Sequence, residues 1–307
     1  MNTLPKKDKV LLKRGTVIEG KWHRNRYKII RMLGSGTVGT VYLCSHKGQF
    51  VALKISEQSM SMTAEVQVLK TLGNLKVQDS RLGPYLMDVD DWLLANGKTL
   101  SFYVMEYIKG ESLQTFIHKN GTSWITVLLF QLLEQLELIH RSGYVFGDLK
   151  SENIIVTNHP PTIRLIDVGG TTKIGRSVKE YTNFYDRAYW RLGTRLAEPS
   201  YDLFAVAMVI LAVFYPKKFT RVKHNNVYIK RKLLQIKSLE PYAPVLLKAI
   251  EGKYTSAKQM RDDLFKRMMR TNKLETKQTS SSFLLELILL GTLSSAYFGI
   301  YYYISNI

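Results

Sequence analysis

The chain has 307 residues, of which 45% are hydrophobic, and this composition excludes a disordered chain and allows one large domain with a packed core. Cys44 is the single cysteine, which excludes an internal disulfide and favours a cytosolic setting. The formal net charge of +19 indicates an anionic partner such as nucleic acid, acidic lipid or a phosphorylated ligand, although a solvated surface that keeps the protein soluble is an equal alternative.

The first 26 residues are predicted to form a basic lead-in. Ten Lys or Arg residues lie between Lys6 and Arg31, against the acidic residues Asp8 and Glu19. Residues 1–20 lack a continuous apolar core of signal-peptide length, so we expect no secretion.

A small lobe rich in β-strands is predicted after the lead-in. Apolar residues cluster at 27–30, 41–44 and 50–53, separated by a glycine cluster and by a turn, and this spacing predicts an antiparallel meander. Apolar residues share one face of a predicted helix over 63–72, and residues 100–107 predict a further strand.

A second, mainly helical lobe is predicted after Gly110. Apolar residues recur at three- and four-residue intervals over 124–140, which is typical of an amphipathic helix. Residues 202–215 are almost wholly apolar after Asp202. Because they are too few to span a bilayer, they predict a helix buried in the centre of this lobe.

The C-terminal segment 283–304 is predicted to be a transmembrane helix. Its 22 residues carry Glu286 as their only charge, and as a helix they would measure about 33 Å, which matches a hydrocarbon core of roughly 30 Å. A basic and polar juxtamembrane linker over 267–282 precedes it, and this positive charge would keep the catalytic part on the cytoplasmic side. The alternative is a C-terminal helix docked on the domain's own surface.

A glycine loop and a lysine mark a phosphate-binding site in the predicted small lobe. Residues 34–41 read Gly-Ser-Gly-Thr-Val-Gly-Thr-Val, and missing side chains let backbone amides approach phosphate oxygens. A strand after the glycines, rather than a helix, favours a kinase over a dinucleotide-binding fold. Lys54 follows fifteen residues after Gly39, where it would hold the α- and β-phosphates. Its predicted ion-pair partner is Glu65 on the next helix, with Glu57 as the competing candidate.

The segment 147–153 contains the residue spacing of a catalytic loop for phosphoryl transfer. Asp148 is predicted to orient the attacking hydroxyl and accept its proton, and Asn153 to help hold magnesium through its amide oxygen. Lys150 stands where Ser/Thr kinases place a lysine close to the transferred phosphate. Asp167, which follows a short strand, is predicted to chelate the metal.

These elements occur in the order and spacing of the Hanks-type protein kinases, and the chain resembles that family over residues 27–266. The resemblance implies an α+β fold, the two-lobed protein-kinase fold with a small β-rich N-lobe and a larger helical C-lobe, and it implies ATP with Mg²⁺ or Mn²⁺. It further implies that Met105 guards the back of the nucleotide pocket, that residues 106–108 form the hinge that binds adenine, and that Glu111 lies near the ribose. The implied ATP-binding set is Gly34, Ser35, Gly36, Thr37, Val38, Gly39, Val41, Ala52, Lys54, Met105, Glu106, Ile108 and Glu111.

The chain departs from the family pattern in three places. Phe146-Gly147 stands where the family has His-Arg, so no arginine there receives a phosphate from the activation loop. Val168 replaces the phenylalanine of Asp-Phe-Gly and keeps an apolar side chain. The Ala-Pro-Glu triplet is absent from 184–190, as is the arginine that pairs with it, and the loss of both leaves no buried charge unpaired. Asp202 still occupies the position of the family's structural aspartate.

Together these features predict an active Ser/Thr protein kinase that acts on protein substrates and is anchored to the cytoplasmic face of the cell membrane. This layout is most similar to that of the short membrane-anchored kinases of spore-forming bacilli that lack an extracellular domain. The alternatives are a pseudokinase scaffold and a small-molecule phosphotransferase; Lys150 and the glycine loop argue against the latter.

The basic residues predict a regulatory partner as well. The acid-free stretch 203–239 holds eight Lys or Arg residues beside aromatic residues that we expect to be exposed. We therefore predict that the basic surfaces bind DNA without sequence specificity, or bind anionic lipid, and that this binding regulates the kinase.

Overall fold

The computed structural model of the chain describes residues 11–73, 76–77, 80–158 and 160–275. The chain divides into two compact units, Met1–Arg261 and Asp262–Ile307. The small lobe and the large lobe as far as Arg261 belong to the first unit, and the described part of the second is the helical stretch 262–275.

No helix in the described ranges is both long enough and apolar enough to cross a bilayer. The predicted transmembrane segment 283–304 lies outside those ranges, as do residues 276–282 of the predicted linker.

The small lobe consists of a sheet, one helix and a short hairpin. In chain order its elements are β1 (Val17–Glu19), β2 (Arg26–Ser35), β3 (Thr40–His46), β4 (Gln49–Ser56), α1 (Ser59–Gly73), β5 (Lys76–Val77), β6 (Ser80–Arg81), β7 (Leu86–Leu93) and β8 (Thr99–Glu106). The sheet is antiparallel in the order β1-β2-β3-β4-β8-β7, and β5 pairs with β6. Tyr42, Leu53 and Phe102 from three neighbouring strands are buried together in its core. The predicted meander, helix and later strand are confirmed as β2, β3, β4, α1 and β8.

Residues 11–26, which belong to the predicted lead-in, pack onto the small lobe. Strand β1 pairs with β2 at one edge of the sheet. The chain then reaches the opposite edge strand, β7, where the buried carboxylate of Asp90 accepts the backbone amide hydrogens of Trp22 at 3.0 Å and His23 at 2.8 Å. Because these contacts join both edges of the sheet, this part of the lead-in is a component of the lobe.

The large lobe is mainly helical, with short strands around the catalytic loop. In chain order its elements are β9 (Glu111–Ser112), α2 (Leu113–Asn120), α3 (Trp124–Arg141), β10 (Tyr144–Val145), β11 (Ile154–Thr157), β12 (Thr162–Leu165), β13 (Thr172–Lys173), α4 (Pro199–Phe214), α5 (Asn225–Leu234), α6 (Ala243–Ile250) and α7 (Ala257–Glu275), with 3-10 turns at Ser151–Asn153, Asn183–Tyr185 and Lys237–Leu239. Helix α7 crosses the boundary between the two units. The predicted helices at 124–140 and 202–215 are confirmed as α3 and α4.

Helix α4 is the buried centre of the large lobe, as its apolar sequence predicts. Asp202 lies in its first turn, where the helix dipole favours a negative charge. The buried Asp202 carboxylate accepts the backbone amide hydrogens of Phe146 at 2.7 Å and Gly147 at 2.9 Å, and its distance to Nε2 of His140 is 2.9 Å. These bonds fix the backbone that leads directly into the predicted catalytic loop.

An aromatic cluster occupies the region where the Ala-Pro-Glu glutamate and its arginine are missing. The buried ring of Trp190 packs against Phe184 and Phe219, with centroid distances of 6.0 and 5.6 Å, and its indole N–H donates to the carbonyl of Phe184 at 2.8 Å. Phe219 also contacts the edges or faces of Tyr215 and Tyr228. Edge-to-face and tilted ring contacts of this kind are favourable. Two ion pairs of the same region accompany this apolar packing, Arg187–Glu198 at 2.7 Å and Arg195–Asp186 at 2.8 Å.

The expectation of exposed aromatic residues in the acid-free stretch is therefore wrong. Phe214, Tyr215, Phe219 and Tyr228 are all partly buried. Their rings help to pack the loop after α4 and helix α5 against the segment 184–190. Aromatic surface is more favourably buried than exposed to water.

Candidate active site

A cavity of about 490 Å³ lies between the small-lobe sheet and the catalytic loop. This volume falls within the range of roughly 300–1,000 Å³ that is usual for small-molecule sites. Among the residues that line it are Gly34, Ser35, Gly36, Thr37, Val38, Gly39, Val41, Ala52, Lys54, Met105, Glu106 and Ile108. Twelve of the thirteen predicted ATP-binding residues therefore meet at one cavity.

Glu111 is the exception among the predicted residues. Its backbone pairs with that of Val156, and its carboxylate accepts a hydrogen bond from Lys119 at 2.9 Å. Because strand pairing and this ion pair hold it elsewhere, the structure does not bring Glu111 to the wall of the cavity.

The glycine loop is a tight turn between β2 and β3. The amide of Gly36 donates to the carbonyl of Gly39 at 2.9 Å, and a Cβ at Gly39 would collide with the carbonyl oxygen of Ile55 in β4. Only glycine fits this close approach between two backbones. The loop thus lies over the cavity with its backbone exposed, in the arrangement that phosphate binding requires.

Lys54 is the centre of a charged cluster on the cavity wall. Its Nζ lies 2.6 Å from Oε2 of Glu65 and 3.8 Å from Oδ1 of Asp167. The hydroxyl of Tyr103 donates to the same Glu65 oxygen at 2.8 Å. Burial acts to lower the pKa of Lys54, but the carboxylates of Asp167 and Glu65 outweigh it, so this pKa lies above its ordinary value and the ammonium stays charged.

The choice between the two candidate glutamates is settled by the same geometry. Glu65 faces Lys54 from helix α1 and is buried, whereas Glu57 pairs with Lys98 at 2.6 Å on the surface. The predicted partner of Lys54 is confirmed.

Three side chains contact Asp148 in the catalytic loop. Lys150 forms an ion pair with its carboxylate, and the hydroxyl of Thr182 donates to Oδ1 of the same carboxylate at 3.0 Å. The side-chain amide nitrogen of Asn153 donates to the backbone carbonyl of Asp148 at 2.9 Å. This bond uses the nitrogen of Asn153 and leaves its amide oxygen available as a metal ligand.

The residues present fit ATP with a divalent cation. Asp167 and Asn153 line the same cavity as Lys54 and Lys150, and the side chain of Asp167 remains 45% exposed despite its proximity to Lys54. Carboxylate and amide oxygens are the hard ligands that Mg²⁺ prefers. A cation held there would neutralise charge on the transferred phosphate.

The departures from the family pattern have local structural reasons. Gly147 has a φ of +80°, and a Cβ at this position would meet the carbonyl oxygen of Gly170. Because a side chain does not fit here, an arginine before Asp148 is excluded in this conformation. Val168 is buried, as its apolar character predicts.

Two features of the site were not predicted from the sequence, the place of Glu180 on the cavity wall and the contact of Thr182 with Asp148. Glu180 is half-buried and lines the same cavity. Burial raises the pKa of Glu180, Lys54 lowers it, and the carboxylates of Glu65 and Asp167 add to the net upward shift. Glu180 is the only acidic residue between 168 and 185, and that isolation is a signal from which it could have been noticed.

Comparison with known proteins agrees with this geometry. Residues 27–284 match the family model described as Protein kinase domain. The chain is 46% identical over 254 residues to the serine/threonine-protein kinase YabT of Bacillus subtilis strain 168. The alignment covers 82% of this chain and 75% of YabT. The chain is also 24% identical over 275 residues to the probable serine/threonine-protein kinase CPE1738 of Clostridium perfringens. That alignment covers 80% of this chain and 39% of CPE1738.

Solved structures agree with the fold. The crystal structure of a double mutant of the PknI kinase domain from Mycobacterium tuberculosis aligns with a TM-score of 0.57. The alignment covers 84% of this chain and 100% of that domain, at 16% sequence identity. This identity is low, so the match supports the two-lobed fold alone.

Proposed function

Because this chain belongs to the protein kinase family, as a serine/threonine kinase of the bacterial Hanks type, we propose that its cleft transfers the γ-phosphoryl group of ATP with Asp148 as base and Mg²⁺ as metal. Members of this family use ATP and a divalent metal. Asp148 would orient a Ser or Thr hydroxyl and take its proton, while Lys150 and Lys54 face the phosphates with positive charge.

One observation carries the proposal that the kinase is active. Glu65 on helix α1 is within 2.6 Å of Lys54, and both lie beside Asp167. This pair and the metal-binding aspartate must be in place together for transfer in kinases. Incubation of the purified chain with γ-labelled ATP tests the proposal, because a pseudokinase scaffold would bind nucleotide without transferring label.

We also propose that segment 283–304 anchors the chain in the cell membrane with the kinase domain in the cytoplasm. The support is its length and apolar composition, together with the basic residues that precede it.

A truncation tests the anchor. The chain that ends at residue 282 is expected to move from the membrane fraction to the soluble fraction and to retain autophosphorylation, because the residues that line the described cavity all lie between Arg31 and Glu180. A Leu289→Arg, Leu293→Arg variant keeps the length but adds charge at the helix centre, which disfavours insertion by several kcal/mol, so it should behave similarly. Retention of the truncated chain on membranes would instead assign binding to the basic surfaces.

The basic stretch 203–239 supports a further proposal, that duplex DNA binds nonspecifically and regulates the kinase. Lys217, Lys223, Arg231 and Lys237 are exposed, as phosphate contacts require. The neighbouring aromatic rings are packed together, which removes the stacking platforms used by single-strand binders. A surface that offers positive charge but no exposed aromatic rings should bind the phosphate backbone of duplex DNA in preference to single strands.

DNA binding is tested by mobility shift with the chain that ends at residue 282. We expect a shift of duplex DNA at ~50 mM salt, and we expect Lys217→Ala, Lys223→Ala and Arg231→Ala together to weaken it and flatten the log-log salt slope by about one unit per lost contact. Lys47→Ala, Lys70→Ala and Lys109→Ala remove the same charge from other exposed sites and serve as the control. Absence of any shift rejects DNA, and flotation with acidic vesicles then tests anionic lipid as the partner.

A further inference from the structure

We propose that this kinase selects acceptor sites flanked by acidic residues, and that Lys218 sets this preference by neutralising Glu152 in the catalytic loop. The inference rests on the proposed phosphoryl transfer and names the substrate class of the same cleft.

The position of the acceptor hydroxyl defines which residues the substrate meets. That hydroxyl must reach the carboxylate of Asp148, because general-base catalysis needs hydrogen-bond contact. Residues 170–182 contact Asp148 at both ends: Gly170 packs against its backbone and Cβ, and the hydroxyl of Thr182 donates to its carboxylate at 3.0 Å. Side chains on residues 170–182 and on the catalytic loop are therefore the nearest neighbours of a bound acceptor.

Glu152 is the acidic residue of the catalytic loop that would attract a basic substrate. It lies one residue before Asn153 and lines the cleft. Its Oε1, however, accepts a hydrogen bond from Nζ of Lys218 at 2.9 Å. This ion pair joins the two side chains directly, so the Glu152 carboxylate is already paired with a cation.

Lys218 is held in place by two further contacts. Its ammonium lies 4.9 Å from the ring centroid of Tyr185, a cation–π distance. The same Tyr185 is 3.1 Å from the hydroxyl of Ser151 in the catalytic loop. The backbone amide of Lys218 donates to the carbonyl of Tyr215 at 2.8 Å, and the next residue, Phe219, belongs to the aromatic cluster.

The backbone of Lys218 also carries conformational strain. Its φ is +50°, in the left-handed region that is unfavourable for a residue with a side chain. Strain of this kind persists where surrounding contacts determine the conformation, and it concentrates at functional sites. The turn is therefore built to present the Lys218 ammonium to Glu152.

The exposed charges of residues 170–182 are all positive. They are carried by Lys173, Arg176 and Lys179. Glu180, the one acidic residue of this segment, is half-buried in the nucleotide cleft. A substrate that approaches Asp148 meets exposed cations and a neutralised carboxylate, so electrostatic complementarity favours acidic flanking residues.

Three fluorescent peptides test the preference with the purified full chain. Each holds one threonine, and the flanking residues are Glu, Gln or Lys. We expect kcat/KM for the Glu peptide to exceed that for the Lys peptide by about tenfold, and the difference to shrink at high salt. Binding of the same peptides, measured by fluorescence anisotropy, should show the same order and requires no transfer.

Four variants separate the role of Lys218 from general charge. Lys218→Ala uncovers Glu152 and should lower the ratio of kcat/KM for the Glu peptide to that for the Lys peptide about tenfold. Lys70→Ala, which removes an exposed charge from helix α1, should change this ratio by less than about twofold. Glu152→Gln should raise the ratio of kcat/KM for the Glu peptide to that for the Lys peptide. In the double variant Glu152→Gln, Lys218→Ala, this ratio should recover part of the decrease caused by Lys218→Ala.

The outcomes are distinct for the two levels of the proposal. Equal binding of the three peptides, no measurable binding of any of them, or equal ratios for Lys218→Ala and the double variant would overturn the inference. Absence of transfer to every peptide and to the chain itself, with binding that still follows charge, would instead count against the proposed phosphoryl transfer and leave the recognition of acidic segments standing.

Discussion

Asp148→Asn is expected to lower the rate of phosphoryl transfer by about 10²-fold or more, because the amide cannot accept the proton of the attacking hydroxyl. The shape of the side chain is kept, so the contacts from Thr182 and Lys150 should hold the loop in place. Asp148 is not among the residues that line the nucleotide cavity. We therefore expect the affinity for Mg²⁺-ATP to change by less than about threefold.

Asp167→Asn should abolish transfer in a different way. Asp167 lies on the cavity wall beside Lys54, and loss of its charge weakens the hold on the metal. Titration calorimetry with ATP, with and without Mg²⁺, separates the two variants: Asp167→Asn should lose the gain in affinity that Mg²⁺ provides, and Asp148→Asn should keep it. Transfer by Asp148→Asn near the wild-type rate would disprove its role as base.

Asp202→Ala is expected to have the largest effect on stability. The change leaves the buried amide hydrogens of Phe146 and Gly147 without an acceptor, and each unsatisfied group costs about 1–3 kcal/mol. His140 also loses its partner. For a domain of this size each kcal/mol corresponds to roughly 2–4 °C in Tm, so we expect a decrease of about 10 °C.

The same variant should also lose activity at temperatures where it remains folded, since Asp202 fixes the backbone immediately before Asp148. Thermal unfolding and transfer assays at 15 °C check the two effects. Glu240→Ala, which removes an exposed carboxylate, is the matched control and should shift Tm by little more than a degree. A Tm for Asp202→Ala within a few degrees of wild type would contradict the anchoring role.

Residues whose function depends on local spacing could be predicted from the sequence. The glycine loop, Lys54, Asp148 and Asn153 are each set by a strand, turn or short loop with a recognisable pattern. Glu65 was identified because the apolar face of its helix places it toward the sheet. In each case the local sequence determines which way the functional group faces.

Residues whose environment comes from distant parts of the chain could not be predicted. Lys218 reaches Glu152 across 66 positions of sequence, and no local pattern indicates the pairing. Strand β7 contains three aspartates, so its sequence does not show the alternation of apolar and polar residues that marks a half-buried strand. The buried Asp90 is stable there because the backbone amides of residues 22 and 23 donate hydrogen bonds to its carboxylate. The burial of Phe219 depends likewise on rings contributed by other elements.

Phosphosite mapping after incubation of the full chain with Mg²⁺-ATP and a protein acceptor tests directly whether the chain is an active Ser/Thr kinase. We expect new phosphate on Ser or Thr residues with the wild-type chain, and none with Lys54→Ala or in the presence of a metal chelator. A wild-type chain that binds Mg²⁺-ATP yet leaves every Ser and Thr unmodified would contradict this expectation and identify a pseudokinase instead.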